Sequence, residues 1–152
     1  MLRPAHADEA EALTQLCLRS KAMHGYDAAF MAACRMELAV IPGLAGHHMI
    51  VAEHDGVIVG VAEISVEGEF AELEKLFVEP SRNARGAGRE MFRWAQRSAT
   101  AAGARALFVD SDPGAAGFYE RMGAVKVGSS PSGSISGRTL PRYRLDLDTV
   151  AA

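Results

Sequence analysis

The chain has 152 residues, of which 49% are hydrophobic and 23% are charged, and its formal net charge is −3. This length fits one domain with a substantial core, and the composition is that of an ordinary globular protein. The basic excess of nucleic-acid-binding proteins is missing. No stretch approaches the roughly 18 consecutive apolar residues of a membrane helix, and the start lacks a signal-peptide core. We therefore expect a single cytoplasmic domain over residues 1–152 that binds neither nucleic acid nor membrane.

The first quarter of the chain predicts a short strand, LRPA, followed by two helices. Apolar residues recur at helical spacing from Asp8 to about Met23, and Asp8 is placed to cap the helix. The segment DAAFMAACRMELAV predicts the second helix after a break at HGYD. Cys17 and Cys34 lie in these helices without CxxC spacing, so we expect buried free thiols.

Residues 47–80 change to a period of two or to continuous apolar character, which predicts three strands. The Asp-Gly pair at 55–56 favours a tight hairpin, and Glu-Gly-Glu at 67–69 is a second turn, so the strands should form an antiparallel meander. His47, His48 and His54 also fall here. Adjacent strand residues face opposite sides and no carboxylate or cysteine completes a ligand set, so no metal site is predicted.

The second half of the chain predicts one crossover and two closing strands. A helix from Gly88 to about Ala102 leads to the buried strand ARALFVD, which should lie parallel to the last meander strand. DPGAAGFYERMG is a compact helix that Asp112 can cap, followed by strand AVKVGS, the loop GSSPSGSISGR and strand TLPRYRLDLDTV. The fold class is α/β (α+β), with a mixed, mostly antiparallel central sheet, one parallel strand-helix-strand crossover and helices on both faces.

The stretch SRNARGAGREMF joins the third meander strand to the long helix. Unpaired amides at a helix start and the helix dipole favour an anion there, and Gly86 and Gly88 would let a phosphate approach the backbone. A Rossmann loop would need a third glycine at Met91, and a P-loop would need a Gly-Lys pair, which the chain lacks. The alternative is that the glycines serve only close packing at the helix entry.

Two segments together resemble the GNAT superfamily of acyl-CoA-dependent N-acetyltransferases. They are LEKLFVEPSRNARGAGREMFRWA and, further on, DPGAAGFYERMGAVKVG. In that family a strand ending VxP leads into [QR]xxGx[GA], whose amides bind the pyrophosphate of coenzyme A, and a later FYE segment carries a tyrosine. Residues 47–127 follow this pattern closely, with Asn83 in place of the usual Gln or Arg and Asp112 in place of a frequent Asn.

The resemblance implies acetyl-CoA as cosubstrate, no metal and an amine acceptor that is a small molecule or a peptide. A homodimer is a further expectation, because dimers are common in the family. The implied cofactor-binding residues are Leu76, Phe77, Val78, Asn83, Ala84, Arg85, Gly86, Ala87, Gly88, Arg89, Asp112 and Phe118. The strand backbone would bind the pantetheine arm, and the amides of residues 84–89 would bind the pyrophosphate.

The position of Tyr119 in the family pattern implies a general acid. A phenol with a pKa near 10 can protonate a thiolate whose conjugate acid lies near 8 to 9. The alternative is a core tyrosine whose hydroxyl bonds the backbone.

Glu72 and Glu74 are the candidates for the base that takes a proton from the amine. They share one face of the predicted strand because alternate residues point the same way. Both could instead belong to a solvated acidic hairpin, and in either case the carboxylates favour a cationic amine. His24 and Tyr26, between the first two helices, are predicted to contact the substrate.

Two other functions remain open at this point. A non-catalytic acyl-CoA sensor would keep the fold and the glycine loop, and an interaction module would keep the fold with an empty loop. The acetyltransferase hypothesis is preferred because Tyr119 is present.

Overall fold

The computed structural model of the protein describes residues 1–80 and 86–147. Its helices and strands are, in chain order, β1 Leu2–Pro4, α1 Ala10–Ala22, α2 Ala28–Leu38, β2 His47–His54, β3 Val57–Glu67, β4 Phe70–Val78, α3 Ala87–Ala101, β5 Ala106–Asp110, α4 Ala116–Arg121, β6 Val125–Pro131 and β7 Thr139–Asp146. Within the described residues the strands form one seven-stranded sheet in the order β1-β2-β3-β4-β5-β7-β6.

The antiparallel meander is confirmed. Strands β2 and β3 pair antiparallel, as do β3 and β4. At the first turn Asp55 has φ 51° and Gly56 has φ 77°, the two positive values that a tight two-residue hairpin needs. Strand β1 adds to the free edge of β2, so the long N-terminal half of the sheet is antiparallel throughout.

The parallel crossover is also confirmed, and it is short. Strand β4 pairs with β5 in parallel only where Phe70–Glu72 meets Ala106–Phe108. Strand β7 then pairs antiparallel with both β5 and β6. Strand β6 runs to Pro131, so the first residues of the predicted loop GSSPSGSISGR belong to a strand.

Helices cover both faces of the sheet, as the fold class predicts. Helices α3 and α4 pack on a core that includes Phe92, Tyr119 and Tyr143. Helices α1 and α2 pack on the opposite face, where Leu13 and Val61 belong to the buried cluster. Alternate β3 residues serve the two cores because neighbouring strand residues point to opposite faces.

The prediction that Asp8 caps the first helix is wrong. A 3₁₀ turn at Ala7–Glu9 precedes α1, and Glu9 takes the N-cap position without a side-chain cap bond. The Glu9 carboxylate accepts from the His6 amide at 2.8 Å and pairs with the Arg3 guanidinium at 2.7 Å. The bond from Arg3 is the main reason that the pKa of Glu9 falls to about 2.

The two thiols are buried and free, as predicted. Burial raises the pKa of Cys17 to about 12, so it remains a neutral thiol and behaves as a core residue. None of the helices in residues 1–80 and 86–147 is long and apolar enough to cross a membrane.

Candidate functional site

The site lies where β4 and β5 separate. Beyond Glu72 the edge of β4 that faces β5 has no strand partner within the described residues, so the backbone of residues 73–78 is open on that side. A cavity of about 280 Å³ lies at this opening. Its lining comes from α1, α2, β4, β5, β7, α4 and the start of α3, and it includes Lys21, His24, Glu37, Leu73, Glu74, Lys75, Leu76, Phe77, Val78, Gly88, Asp110, Asp112, Phe118, Tyr119 and Leu140.

The three β4 residues implied in cofactor binding all line this cavity. Leu76 and Val78 pack toward α3, whereas Phe77 packs toward α1. Their side chains are therefore occupied by the two cores. The groups that they expose to the cavity are backbone N–H and C=O groups, as at the open edge of a strand.

The glycine segment opens helix α3 with an uncapped start. Gly86 holds the N-cap position at φ 81°, which a residue with a Cβ adopts only with strain. Apart from its chain neighbours, no residue of the described part of the chain comes within 4 Å of the place where its Cβ would be. The first helical bond runs from the Glu90 amide to the Gly86 carbonyl at 2.8 Å. The amides of Ala87, Gly88 and Arg89 therefore have no acceptor inside the helix.

Gly88 belongs to the cavity, and its surroundings differ from those of Gly86. A Cβ at Gly88 would meet Phe118 and Val78 at 3.7 Å, which is ordinary contact. Arg89 is exposed on the first turn of α3. The predictions for Asn83, Ala84 and Arg85 lie outside the described residues.

Tyr119 is buried beside the cavity with a free hydroxyl. It is 5% exposed and packs against Phe118 and Phe92, with ring centroids 5.2 and 5.8 Å away. In the described part of the chain no hydrogen bond reaches its hydroxyl, so the backbone-bonded alternative is not observed. Burial, helped by the Asp112 carboxylate, raises the pKa of Tyr119 above its ordinary value, so the phenol is protonated at neutral pH.

The two candidate bases occupy different surroundings. The Glu72 carboxylate pairs with the Arg142 guanidinium, which also binds Asp110 at 2.9 Å, and Glu72 does not line the cavity. Glu74 lines the cavity and accepts from the Ser65 hydroxyl at 2.7 Å.

A β-bulge produces this difference. The register shifts so that Glu63 pairs with Lys75 while Ile64 pairs with Leu73, which leaves Glu74 as the extra residue. A bulge bends its strand and re-aims a side chain. The simple alternation used in the sequence analysis does not describe this part of β4.

Asp112 connects three segments that are far apart in sequence. One carboxylate oxygen accepts from the Gly114 amide at 2.9 Å, and the other accepts from the Tyr26 hydroxyl at 2.8 Å and the Lys21 ammonium at 3.2 Å. Arg138, from the segment between β6 and β7, reaches the same oxygen at 3.7 Å. Burial alone would raise the pKa of Asp112, but the hydrogen bonds from Gly114, Tyr26 and Lys21 and the charge of Lys21 outweigh it and lower the pKa below its usual range.

Of the two residues predicted to contact the substrate, only His24 lines the cavity. His24 lines the cavity, where its ring lies against Gly114. Tyr26 is outside the lining; it bonds Asp112, receives a bond from Arg138 at 2.7 Å and stacks on Phe30 with ring centroids 3.9 Å apart. Tyr26 therefore connects α2 to the segment between β6 and β7 and has a structural role.

A polar triad around the buried Glu63 lies on the α1 side of β4. Glu63 is 2% exposed and binds His47 at 3.0 Å and the Lys75 ammonium at 3.2 Å. Over residues 1–80 and 86–147 no group of three or more His, Cys, Asp or Glu side chains is placed to hold a metal. The triad fixes Lys75 beside the bulge at Glu74.

Sequence reasoning missed Lys21, Glu37 and Arg138. Lys21 and Glu37 line the cavity, and Glu37 accepts a hydrogen bond from the Ser134 hydroxyl. Each is a lone charged residue in an unremarkable segment. Lys21 and Asp112 are 91 positions apart, Glu37 and Ser134 are 97 apart, and Arg138 and Tyr26 are 112 apart. No local signal exists for such contacts.

Comparison with known proteins finds a matching family model and similar solved structures of acetyltransferases. The family model of the acetyltransferase (GNAT) domain matches residues 19–138. An N-acetyltransferase from Rhodopseudomonas palustris is 25% identical with a TM-score of 0.76, covering 97% of this chain and 95% of that one. PaiA N-acetyltransferase from Thermoplasma acidophilum in complex with coenzyme A is 14% identical with a TM-score of 0.74, covering 96% and 98%.

A third solved structure carries the acetylated cofactor. It is yncA from Salmonella typhimurium with acetyl-CoA, 19% identical with a TM-score of 0.69, covering 100% of this chain and 96% of that one. No curated protein sequence matches the chain.

Proposed function

The chain belongs to the GNAT acetyltransferase family, and on this premise we propose that it transfers an acetyl group from acetyl-CoA to a primary amine by direct attack in a ternary complex. The observation that carries the proposal is the hydroxyl of Tyr119, which lies on the cavity wall beside the open edge of β4 and has no hydrogen-bond partner among the described residues. This hydroxyl can therefore donate its proton to a ligand in the cavity.

The cofactor fits the main chain that the fold leaves unpaired. Acetyl-CoA supplies an activated thioester. The open backbone of residues 73–78 can receive the amides of the pantetheine arm as an added strand. The free amides of residues 87–89, with the open space beside Gly86, can receive the pyrophosphate at the dipole end of α3.

We assign the base to Glu74. It lines the cavity and its only described partner is a neutral hydroxyl, so it can accept a proton from the ammonium group of the acceptor. Glu72 is held by the guanidinium of Arg142, which stabilises its charged form and occupies its oxygens. The carboxylate at 74 would also attract a cationic acceptor into the site.

Tyr119 completes the proton balance. Glu74 takes one proton from the ammonium group of the acceptor and releases it to solvent, and the neutral amine then bonds to the acetyl carbon. Tyr119 gives its proton to the sulfur as the carbon–sulfur bond breaks, and the second proton lost by the nitrogen passes through water to restore the tyrosine. The raised pKa of Tyr119 keeps this proton in place until the thiolate forms. The same dry surroundings raise the basicity of that thiolate, which favours the transfer.

The Asp112 cluster would support the acceptor side. The two cations Lys21 and Arg138 more than balance the single charge of the Asp112 carboxylate, so Asp112 brings no net negative charge to this side of the cavity. Placement in the cytoplasm and a homodimer stay predictions.

Two measurements test the function. Calorimetry with acetyl-CoA asks whether the ligand binds, and release of free thiol on mixing with a panel of amines asks whether the acetyl group is transferred. Binding together with amine-dependent thiol release supports the proposal. Binding without release from any amine favours the acyl-CoA sensor, and absence of binding at high micromolar acetyl-CoA favours the interaction module.

A further inference from the structure

We propose that the acceptor is a diamine or polyamine, an alkyl amine that carries a second ammonium group, and that Glu37 binds this second charge. The inference rests on the proposed function and names the substrate class of the same cavity. It is carried by the charges on the cavity wall and by their partners.

Two carboxylates on different walls of the cavity lack a cationic partner among residues 1–80 and 86–147. Glu74 is on β4 and is bound by the Ser65 hydroxyl. Glu37 is on α2 and is bound by the Ser134 hydroxyl. A hydroxyl leaves the charge of a carboxylate in place, so both walls present a negative charge to the cavity.

The lysines that line the cavity do not neutralise these carboxylates, because each is paired elsewhere. The Lys21 ammonium binds Asp112 at 3.2 Å, and Lys75 binds the buried Glu63 at 3.2 Å. These lysines are 13% and 11% exposed, so their pairing is held within the protein. Glu37 and Glu74 are exposed, so their carboxylates are hydrated in the free protein and are available to a cationic ligand.

The wall around these charges is apolar. Leu38, Leu73 and Leu140 line the same cavity, and their side chains suit a chain of methylene groups. The unpartnered Tyr119 hydroxyl, in a residue only 5% exposed, also opens into it. The cavity is therefore built for a ligand with an apolar middle and polar ends, with the reacting nitrogen at Glu74 and Tyr119 and the second ammonium at Glu37.

The test compares three acceptors that differ only at the far end: 1,4-diaminobutane, 4-amino-1-butanol and butylamine, with other diamine lengths in parallel. The quantity is kcat/KM from thiol release per reactive nitrogen, expressed as the ratio of diamine to butylamine, because the diamine offers two equivalent nitrogens. We expect a ratio of about three- to fivefold for the best length, the range that one exposed ion pair provides. The amino alcohol should behave like butylamine, because it lacks the charge.

A substitution locates the second charge. Glu37→Gln should bring the ratio close to one, and Glu11→Gln should keep it, since Glu11 is an exposed carboxylate on α1 outside the cavity. If Glu37→Gln is poorly folded, the wild-type ratio at rising ionic strength replaces it, because screening weakens an exposed ion pair. A ratio near one in the wild type, a ratio that Glu37→Gln does not change, or a ratio insensitive to salt overturns the proposal.

The inference and the proposed function fail in different ways. Calorimetry with the same three amines, on protein saturated with coenzyme A, measures the affinity for each amine when no acetyl group can be transferred. Transfer to all three amines at equal efficiency rejects the diamine class and leaves the acetyltransferase. Diamine preference in binding with no transfer rejects the acetyltransferase and leaves a diamine site, and equal binding with no transfer rejects both.

Discussion

Gly86 and Gly88 belong to one motif, but replacing each with alanine should change the stability of the fold in opposite directions. Gly86 sits at φ 81°, whereas Gly88 has ordinary helical geometry inside α3. An L-residue in the left-handed region costs roughly 1–2 kcal/mol. Alanine in place of glycine within a helix instead gains about 0.5–1 kcal/mol.

The surroundings do not change these magnitudes. Among the described residues other than its chain neighbours, none lies within 4 Å of a Cβ at Gly86, so backbone strain is the cost expected for Gly86→Ala. A Cβ at Gly88 makes ordinary contacts of 3.7 Å with Phe118 and Val78. We therefore expect Gly86→Ala to be less stable than Gly88→Ala by about 2 kcal/mol, the sum of the two effects.

Urea unfolding followed by circular dichroism measures this difference. The midpoint of Gly86→Ala should fall below that of the wild type and the midpoint of Gly88→Ala should match or exceed it, with equal slopes if the unfolded states are alike. Equal stabilities of the two variants would refute the reasoning, since they would show that the glycine at 86 is not held at positive φ.

Three further predictions follow from the site. Asp112→Asn should lower stability by about 1–3 kcal/mol, because it leaves buried cations without their counter-charge; the loss should be seen by urea unfolding at pH 7 and not with Asp8→Asn as control. Since the pKa of Asp112 is depressed, its contribution is present above the unfolded value near 3.9 and disappears as the pH falls, so the two proteins should converge at low pH. Because the pKa of Tyr119 is raised, the pH profile of kcat should show no loss of this acid below about pH 10; a descending limb near pH 8 that Tyr119→Phe removes would contradict the buried environment. Glu74→Gln should lower kcat/KM by roughly 10²–10⁴, and Glu72→Gln should lower it much less; the reverse order would transfer the role of base to Glu72.

Much of the fold can be predicted because its signals are local. The Asp55-Gly56 turn fixes the first hairpin, and the alternation on either side of it fixes two strands. The strand-helix-strand order then requires the parallel pair of β4 and β5. The glycines at 86 and 88 mark the start of α3, since only a glycine accepts the conformation at 86 without strain.

The details of the site depend on contacts that no local pattern contains. The bulge at Glu74 arises from how β4 pairs with β3, so period-two reasoning could not separate Glu74 from Glu72. The link from Asp112 to Lys21 joins residues 91 apart, and its charges look like ordinary surface charges in the sequence. The prediction that Asp8 caps the first helix is wrong for a similar reason. Glu9 takes the N-cap position, where its carboxylate accepts two hydrogen bonds from Arg3 of the first strand.

The most direct test of the proposed acetyltransferase is Tyr119→Phe, which removes one oxygen atom that has no hydrogen-bond partner in the described protein. The packing against Phe92 and Phe118 is kept, so the fold and the affinity for acetyl-CoA should be unchanged by calorimetry. We expect kcat for thiol release to fall by roughly 10²–10⁴ in Tyr119→Phe. An unchanged kcat in a variant that binds acetyl-CoA normally would contradict the proposal that Tyr119 is the general acid.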